Sequence, residues 1–516
     1  MKNFKTLLIL MMLSMGAFAQ KECALVWKNE FPVEPKWKMI NEDATLILGG
    51  NLNEIAMIDG VTGSVLWQLN FKKALGVKSA KDWNWNKEKG VVNVIIKGEK
   101  KEEDKTIFYD EKSGNMIADI STLKTKMVRT KTRFNSYIEN KEKGVELILT
   151  YKKRTIGELF KNKPLEMTIE CTGKINWSKT ISAKVTTSMC RNRAEGGEPI
   201  IDFNVKGDKV YLIYDGISVI DLNTGNLLWQ TTFDNSEYDF GLFKSSQTLG
   251  KAGAPLVEND GVYVVDLSKN QYCIKKFNLE SGALIWKSEP LDKDAIVPEL
   301  VLINNELIAR FGGRVIVETY IPGQNGNADV YKTEPKMKGD FGLKGFDAST
   351  GKQLWDTKKM KDLNDKFSNA LTNMINNDQT IYVTSDKNLY AFSSNGKTKF
   401  ITPVNKTGLG TPVKMFTYEN NLIVMFEEGI GSYEMSTGKQ NYATSTKKAL
   451  EDFKAGNAYF VWAGSDIFSL EDFVRFDLAS GQILSKMKDT SYPYFSNDGE
   501  EFVKFKGDQY ARYKTR

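Results

Sequence analysis

The chain has 516 residues, 41% of them apolar, and a formal net charge of +6. That is long enough for a large core and too mildly basic, with Lys and Glu interspersed, for a nucleic-acid footprint. Histidine is absent, which excludes Ser-His-Asp and Cys-His nucleophilic systems, histidine-built zinc sites and c-type haem attachment; carboxylates, Lys, Tyr and organic cofactors remain open to catalysis.

Residues 1–19 read as a secretory signal: Lys2 and Lys5 precede an apolar stretch from Leu7 to Met15 and a small-residue cleavage site at Ala17-Phe18-Ala19. The apolar run is too short to cross a bilayer. Cleavage near Ala19 removes two lysines and leaves a net charge of about +4. Gln20, Lys21 and Glu22 precede Cys23 in place of the small and apolar residues of a lipoprotein signal, so no lipid anchor is expected. The expected mature chain is an exported protein of residues 20–516, periplasmic or secreted and monomeric. Cys23, Cys171, Cys190 and Cys273 allow up to two disulfides in three connectivities, too few to hold a chain of this length.

Next comes a strand-like segment at 24–31, ALVWKNEF, with Val26 and Trp27 as its expected buried side chains. A phrase of the form D-x-x-T-G-x-x-L-W then recurs, clearest at 57–71, 219–233, 275–288 and 343–357 and weaker at 108–120, 169–180, 389–401, 431–443 and 474–486. Its turn glycines are Gly63, Gly114, Gly173, Gly225, Gly282, Gly351, Gly396, Gly438 and Gly481. Each copy has strand–turn–strand logic, with Gly supplying positive φ and a Trp-type residue after the turn for packing between repeats. Upstream of each phrase a short polar turn, such as Lys206-Gly207-Asp208 or Asn304-Asn305, joins two further strands rich in β-branched and aromatic residues. The unit is therefore four antiparallel strands, A to D, with tight A–B and C–D turns.

Ten A–B turns accompany nine C–D phrases. Segment 24–31 looks like a strand D without its A to C, and 495–514 supplies A to C without a D. Pairing the two closes a ring. The expected fold is all-β, a single closed β-propeller of ten repeat units (eight to ten blades, the unit at 72–121 being the least regular), at about 50 residues per repeat.

The phrase at 59–67, 221–229 and 347–355 resembles the pyrroloquinoline-quinone (PQQ)-like propeller repeat, found in quinoprotein dehydrogenases and in assembly lipoproteins of the BamB type. For the enzymes the resemblance implies PQQ, a calcium-type cation, an Asp base and commonly two adjacent cysteines. No adjacent cysteine pair, C-x-x-C-H or D-x-[DN]-x-[DN]-G loop occurs, and no catalytic position can be matched. Neither PQQ nor calcium is expected, and no catalytic residue is assigned. The expectation is a non-catalytic scaffold binding a protein or other macromolecule of the cell envelope. A PQQ-dependent dehydrogenase and a glycan- or small-ligand-sensing propeller are the alternatives.

Trp83-Asn84-Trp85 suits a sugar or peptide site, but reads better as part of a strand before the turn at Lys87. Long B–C and D–A excursions fall at 97–105, 152–164, 182–199, 234–253 and 320–341, all on the face opposite the short turns, which makes that face the candidate binding surface. Candidate partner-binding residues are Arg191, Arg193, Tyr320, Tyr331 and Lys336. The segment 320–341 is read as an irregular loop broken by Pro322, Gly323, Gly326, Pro335 and Gly339.

Overall fold

The computed structural model describes residues 21–87, 90–98, 105–117, 132–140, 142–152, 163–183, 202–214, 216–233, 246–249, 251–258, 260–268, 272–292, 295–321, 330–360, 363, 372–446, 449–455, 458–463, 472–488 and 493–515. Ten sheets built on antiparallel strands follow one another among these residues. The first is Trp37–Ile40, Leu46–Gly50, Glu54–Asp59 and Val65–Asn70. The second has three strands, Asp82–Asn86, Val91–Ile96 and Lys105–Asp110, with a lone bridge from Tyr109 to Met116 where a fourth is expected.

The third (Thr132–Asn140 to Trp177–Ala183), fourth (Asp202–Lys206 to Leu227–Thr232) and fifth (Leu256–Glu258 to Leu284–Lys287) each have the four expected strands. The sixth comprises Glu299–Ile303, Glu306–Ile321, Val330–Asp347 and Gln353–Asp356, with Ser246–Leu249 added to its second strand. The seventh (Ile375–Asn377 to Thr398–Pro403), eighth (Pro412–Tyr418 to Gln440–Ser445) and ninth (Ala449–Ala455 to Ile483–Lys488) again have four strands, and Lys21–Glu22 adds a short parallel strand to the ninth. The tenth takes Tyr494–Phe495, Glu501–Lys506 and Gln509–Lys514 from the C-terminus and Ala24–Glu30 from the N-terminus. The four-strand unit and the pairing of the termini are therefore present as read.

The residues group into two compact units, one of 1–126, 423–433 and 440–516, the other of 127–422 and 434–439. In the second unit the sheets stack face to face. In Lys209–Tyr214, Val210 and Leu212 face the third sheet's Leu147, Leu149, Met167 and Ile169, while Tyr211 and Ile213 face Val262 and Val264 of the fifth. Tyr263 and Val265 then meet Leu307 and Ala309 of the sixth, whose Ile308 and Leu343 meet Ile381 and Val383 of the seventh. Strands buried on both faces read as continuous apolar runs rather than alternating ones. The first unit repeats the arrangement: Ile47 and Ile58 meet Val503 and Tyr510 of the tenth sheet, and Leu48 and Met57 meet Val92 and Val94 of the second.

The recurring phrase can now be explained residue by residue. In the turn 347–351 the Asp347 carboxylate accepts hydrogen bonds from the amides of Ser349 (2.8 Å) and Thr350 (2.9 Å), and the Gly351 amide donates to the Asp347 carbonyl (2.8 Å). Asp59, Asp110, Asp221, Asn278 and Asp477 do the same work in their turns. The glycine has two duties. Gly63, Gly114, Gly225, Gly282, Gly351, Gly396, Gly438 and Gly481 take φ of 66–80°, and each lies beneath an aromatic ring from the preceding sheet's strand D. Those rings are Trp27, Trp67, Trp177, Trp229, Trp286, Trp355, Phe400 and Tyr442, and a Cβ on the glycine would come within 3.0 Å of the ring in every case.

The indoles also donate into the turn they cover: Trp177 to the Leu222 carbonyl (2.7 Å), Trp229 to Leu279 (2.9 Å), Trp286 to Ala348 (2.9 Å) and Trp67 to Glu111 (2.8 Å). Tyr442 makes the same bond to Leu478 through its hydroxyl (2.8 Å). The tryptophans pack between sheets, as expected.

The terminal strand obeys the same rule. Ala24–Glu30 pairs with Gln509–Lys514, and Trp27 covers Gly63 and donates to the Val61 carbonyl (2.7 Å). The expectation for its side chains needs correction. Val26 is 42% exposed and Trp27 only half-buried, because a bulge between Leu25 and Trp27 takes Val26 out of the ladder. The anchor is Phe31, 7% exposed, 4.7 Å from the Tyr510 ring. Of the cysteines, Cys23, Cys171 and Cys273 are buried free thiols, and Cys190 lies outside the described residues. Residues 1–20 lie outside them too, and no described helix is long and apolar enough to cross a membrane.

Two substitutions separate the duties of the turn glycine. Gly408 has φ of 71° with nothing near its missing Cβ, so Gly408→Ala should cost about 1–2 kcal/mol of backbone strain. Gly351→Ala adds a collision with Trp286 and should cost about 2–4 kcal/mol. Denaturant melts giving equal losses would show that the ring imposes no constraint. Separately, Phe31→Ala should cost about 3–5 kcal/mol, and deleting 20–31 should lower the melting temperature and promote association through the bared 509–514 edge. A truncated monomer melting like the longer chain would refute the structural role of the terminal strand.

Candidate functional site

The most distinctive departure from the repeat is in the sixth sheet. Its strands B and C, Glu306–Ile321 and Val330–Asp347, run 16 and 18 residues and stay in antiparallel register out to Tyr320 opposite Tyr331 and Ile321 opposite Val330. Strand A, Glu299–Ile303, accompanies only Glu306–Arg310, and strand D only Lys344–Phe346. Beyond them the pair continues as an arm. At about 3.4 Å per residue, the eleven residues from Phe311 to Ile321 extend it by roughly 35 Å.

This corrects the expectation of an irregular loop at 320–341. The apolar and β-branched run Val315-Ile316-Val317-Glu318-Thr319 favours a strand. Ser246–Leu249 pairs with Ile316–Thr319 on one edge, and Ile296 packs with Val315 and Val317. The supposed breakers have places in the arm. Pro335 lies on the strand whose other edge carries no partner at that level among the described residues, where a missing N–H is tolerated. Gly339 and Gly312, at φ of 92° and 72°, lie within the bulge at the arm's base. Pro322, Gly323 and Gly326 lie outside the described residues.

Of the candidate partner-binding residues, Tyr320 and Tyr331 form one rung near the arm's end. Lys336 is exposed five residues on, paired with Glu334 at 3.1 Å. Arg191 and Arg193 lie outside the described residues, as do most of 97–105, 152–164, 182–199 and 234–245. Trp83 and Trp85 are buried in the strand Asp82–Asn86, donating to the Asn51 carbonyl (3.0 Å) and the Glu111 carboxylate (2.8 Å); they pack rather than line a site.

A family model described as outer membrane protein assembly factor BamB matches residues 167–288 and again 270–486, together well over half of the chain. The chain belongs to this family. No curated protein matches it. Among solved structures, BamB from Moraxella catarrhalis is similar at 13% identity and a TM-score of 0.36, over 68% of this chain and 94% of that one. A likeness that loose adds nothing to the family match.

In this BamB-family chain the buried cations serve the framework. Arg512 donates to the carbonyls of Ala44 (2.9 Å) and Gly60 (2.7 Å) and to Glu501 (2.6 Å). Arg475 donates to Thr515 (2.6 Å), and Lys276 to Asp260 (2.7 Å) and the Ala348 carbonyl (3.0 Å). Among the described residues no three acidic or cysteine side chains gather as ligands for a cation.

The displaced carboxylates tell the same story. Hydrogen bonds from Ser113 hold Asp110 below its ordinary pKa; those from Ser349 do so for Asp347, and those from Thr437 and Ser436 for Glu434. Burial works against ionisation of Asp260, but donation from Lys276 and Tyr263 leaves its pKa lowered as well. Burial pushes the three described thiols up.

Because these folded-state pKa values are depressed, the turns contribute fully above the ordinary carboxylate range. Their contribution falls as pH drops through the folded values. The melting temperature should therefore hold from pH 7 to about 5 and decline below roughly 4. Asp347→Asn should keep the turn at pH 7, since Asn278 caps its own turn in the same way, and should flatten part of the acid decline. An unchanged acid profile in that variant would remove Asp347 from the account.

Proposed function

We propose that this chain is an exported, non-catalytic scaffold of the cell envelope, a single closed propeller that binds a protein partner through the face carrying the sixth-sheet arm. The arm is the observation that carries the reading. It departs from a repeat that is otherwise regular, it is stiffened by an added strand, and it sets two tyrosines on one rung at a distance from its own core. Rigid scaffolds with one elaborated loop commonly bind through it, and tyrosine is favoured at such contacts. The family's name, with its reference to outer-membrane assembly, supports a protein partner in the envelope, and the candidate signal at 1–19 supports export. Ring closure belongs to the same proposal and is supported by the terminal strand and by Trp27 on Gly63.

Replacing 313–338 with a two-residue turn should leave the melting temperature within a few degrees and reduce affinity capture from envelope extract at least tenfold. Undiminished capture, with loss instead on mutating Asn304 and Asn305 on the short-turn side, would place the binding surface elsewhere. Incubation with PQQ and calcium tests the enzyme reading: stoichiometric binding with a quinone absorbance change, or dye-linked oxidation of alcohols or sugars, would overturn the scaffold.

A further inference from the structure

Two clefts of similar size differ in how their charges are balanced. One, about 360 Å³, lies between the fourth and fifth sheets and includes Lys206, Asp208, Lys209 and Glu258 in its lining. Its cations are neutralised: Lys206 pairs with Glu258 at 3.6 Å, Lys209 pairs with Glu280, and Asp208 takes Lys143 at 2.6 Å.

The other, about 310 Å³, lies at the ninth and tenth sheets and is lined by Lys28, Lys486, Lys504 and Lys506 against one carboxylate, Glu22. Its geometry follows from register. Lys28 and Lys504 are both directly opposite Ala511, on the strands either side of it, so the three share one face with the small residue in the middle. Lys506 stands opposite Gln509 two rungs along and so on the same face, and Lys486 comes from the ninth sheet, opposite Glu22. Lys504 is only 8% exposed, its ammonium 3.9 Å from the Met487 thioether. Lys28, Lys486 and Lys506 form no ion pair among the described residues. Glu30, the next acid on this face, is held by Gln509 at 3.1 Å.

We propose that this cleft binds a phosphate-bearing anion. The three ammonium groups that form no ion pair, on Lys28, Lys486 and Lys506, repel one another around a single carboxylate unless an anion sits among them, and the volume suits a small ligand. Lysines are mobile point charges suited to phosphate, whereas planar carboxylates favour the arginine fork. The nearby arginines, Arg475 and Arg512, are committed to Thr515 and to the Ala44 and Gly60 carbonyls. Free oligophosphate and a phospholipid headgroup share this chemistry. The inference is independent of the arm and of the partner proposed for it.

Calorimetry with tripolyphosphate, and flotation with vesicles of phosphatidylglycerol against phosphatidylcholine, test it on the mature chain. Binding to tripolyphosphate alone assigns a free phosphate; binding to phosphatidylglycerol vesicles alone assigns a headgroup; either supports the site. The triple variant K28Q/K486Q/K506Q should weaken binding at least tenfold with an unchanged melting temperature. The control K206Q/K209Q should not, and Glu22→Gln should tighten binding severalfold. The proposal is overturned if neither probe binds, if the control loses as much as the triple variant, or if polyglutamate binds more tightly than tripolyphosphate.

Discussion

The contact on which the structure depends is an aromatic ring laid on a glycine. In eight places a strand-D side chain covers the turn of the next sheet, and in most of them its polar hydrogen also reaches a turn carbonyl. A buried turn would otherwise leave that carbonyl without a donor, and a buried indole would leave its N–H without an acceptor. One contact satisfies both. It also accounts for the composition of the phrase: the Asp or Asn folds the turn, the Thr or Ser hydroxyl steadies it, the Gly admits the ring, and the Trp arrives from the neighbour. Phe400 shows which part is indispensable, since it covers Gly438 with no hydrogen to give, and the Tyr382 hydroxyl supplies the bond to the Met435 carbonyl instead at 2.9 Å.

That contact is why so much of the fold was legible in the sequence. Position-specific demands at Asp347, Gly351 and Trp286 recur with little freedom to drift, so the repeat shows itself without any other protein for comparison. The pairing of 24–30 with 509–514 was legible for a related reason, because a missing strand leaves a gap in the count. Where side-chain patterns are less constrained the reading failed. Val26 belongs to an apolar run that nothing marks as bulged. Pro335 and Gly339 read as loop breakers in sequence, although an edge position and a bulge accommodate them in the arm, and the β-branched run at 315–319 is the local signal for a strand. Tyr320 and Tyr331 are register partners, a relation that only the strand reading reveals, and the lysine cleft joins residues separated by more than 450 positions.

The two units use their charged residues differently from their apolar ones. Apolar side chains fill the space between successive sheets, whereas Arg512, Arg475 and Lys276 tie carbonyls and carboxylates at the sheet margins. Removing one partner of such a buried set costs far more than its net contribution, because the remaining charge is stranded. The margins therefore tolerate little change, in contrast to a hairpin arm that extends past them.

The tenth sheet has a consequence for how the chain reaches its folded state. Its outer strand is made early, and the strands it joins are made last; the Gln509 to Glu30 bond spans 479 residues. Apart from the short strand Lys21–Glu22 added to the ninth sheet, every other sheet can assemble from nearer sequence, so folding can run from sheet to sheet while this strand waits. The extra entropy of so long a closure is modest, since loop entropy grows only logarithmically and three or so doublings over a neighbouring-blade contact add about 2 kcal/mol. The delay is kinetic rather than energetic. Until residue 514 arrives, Ala24–Glu30 has no strand to pair with and Phe31 lacks the Tyr510 ring, so the chain carries an adhesive leading end that must be kept from other strands until its own terminus follows.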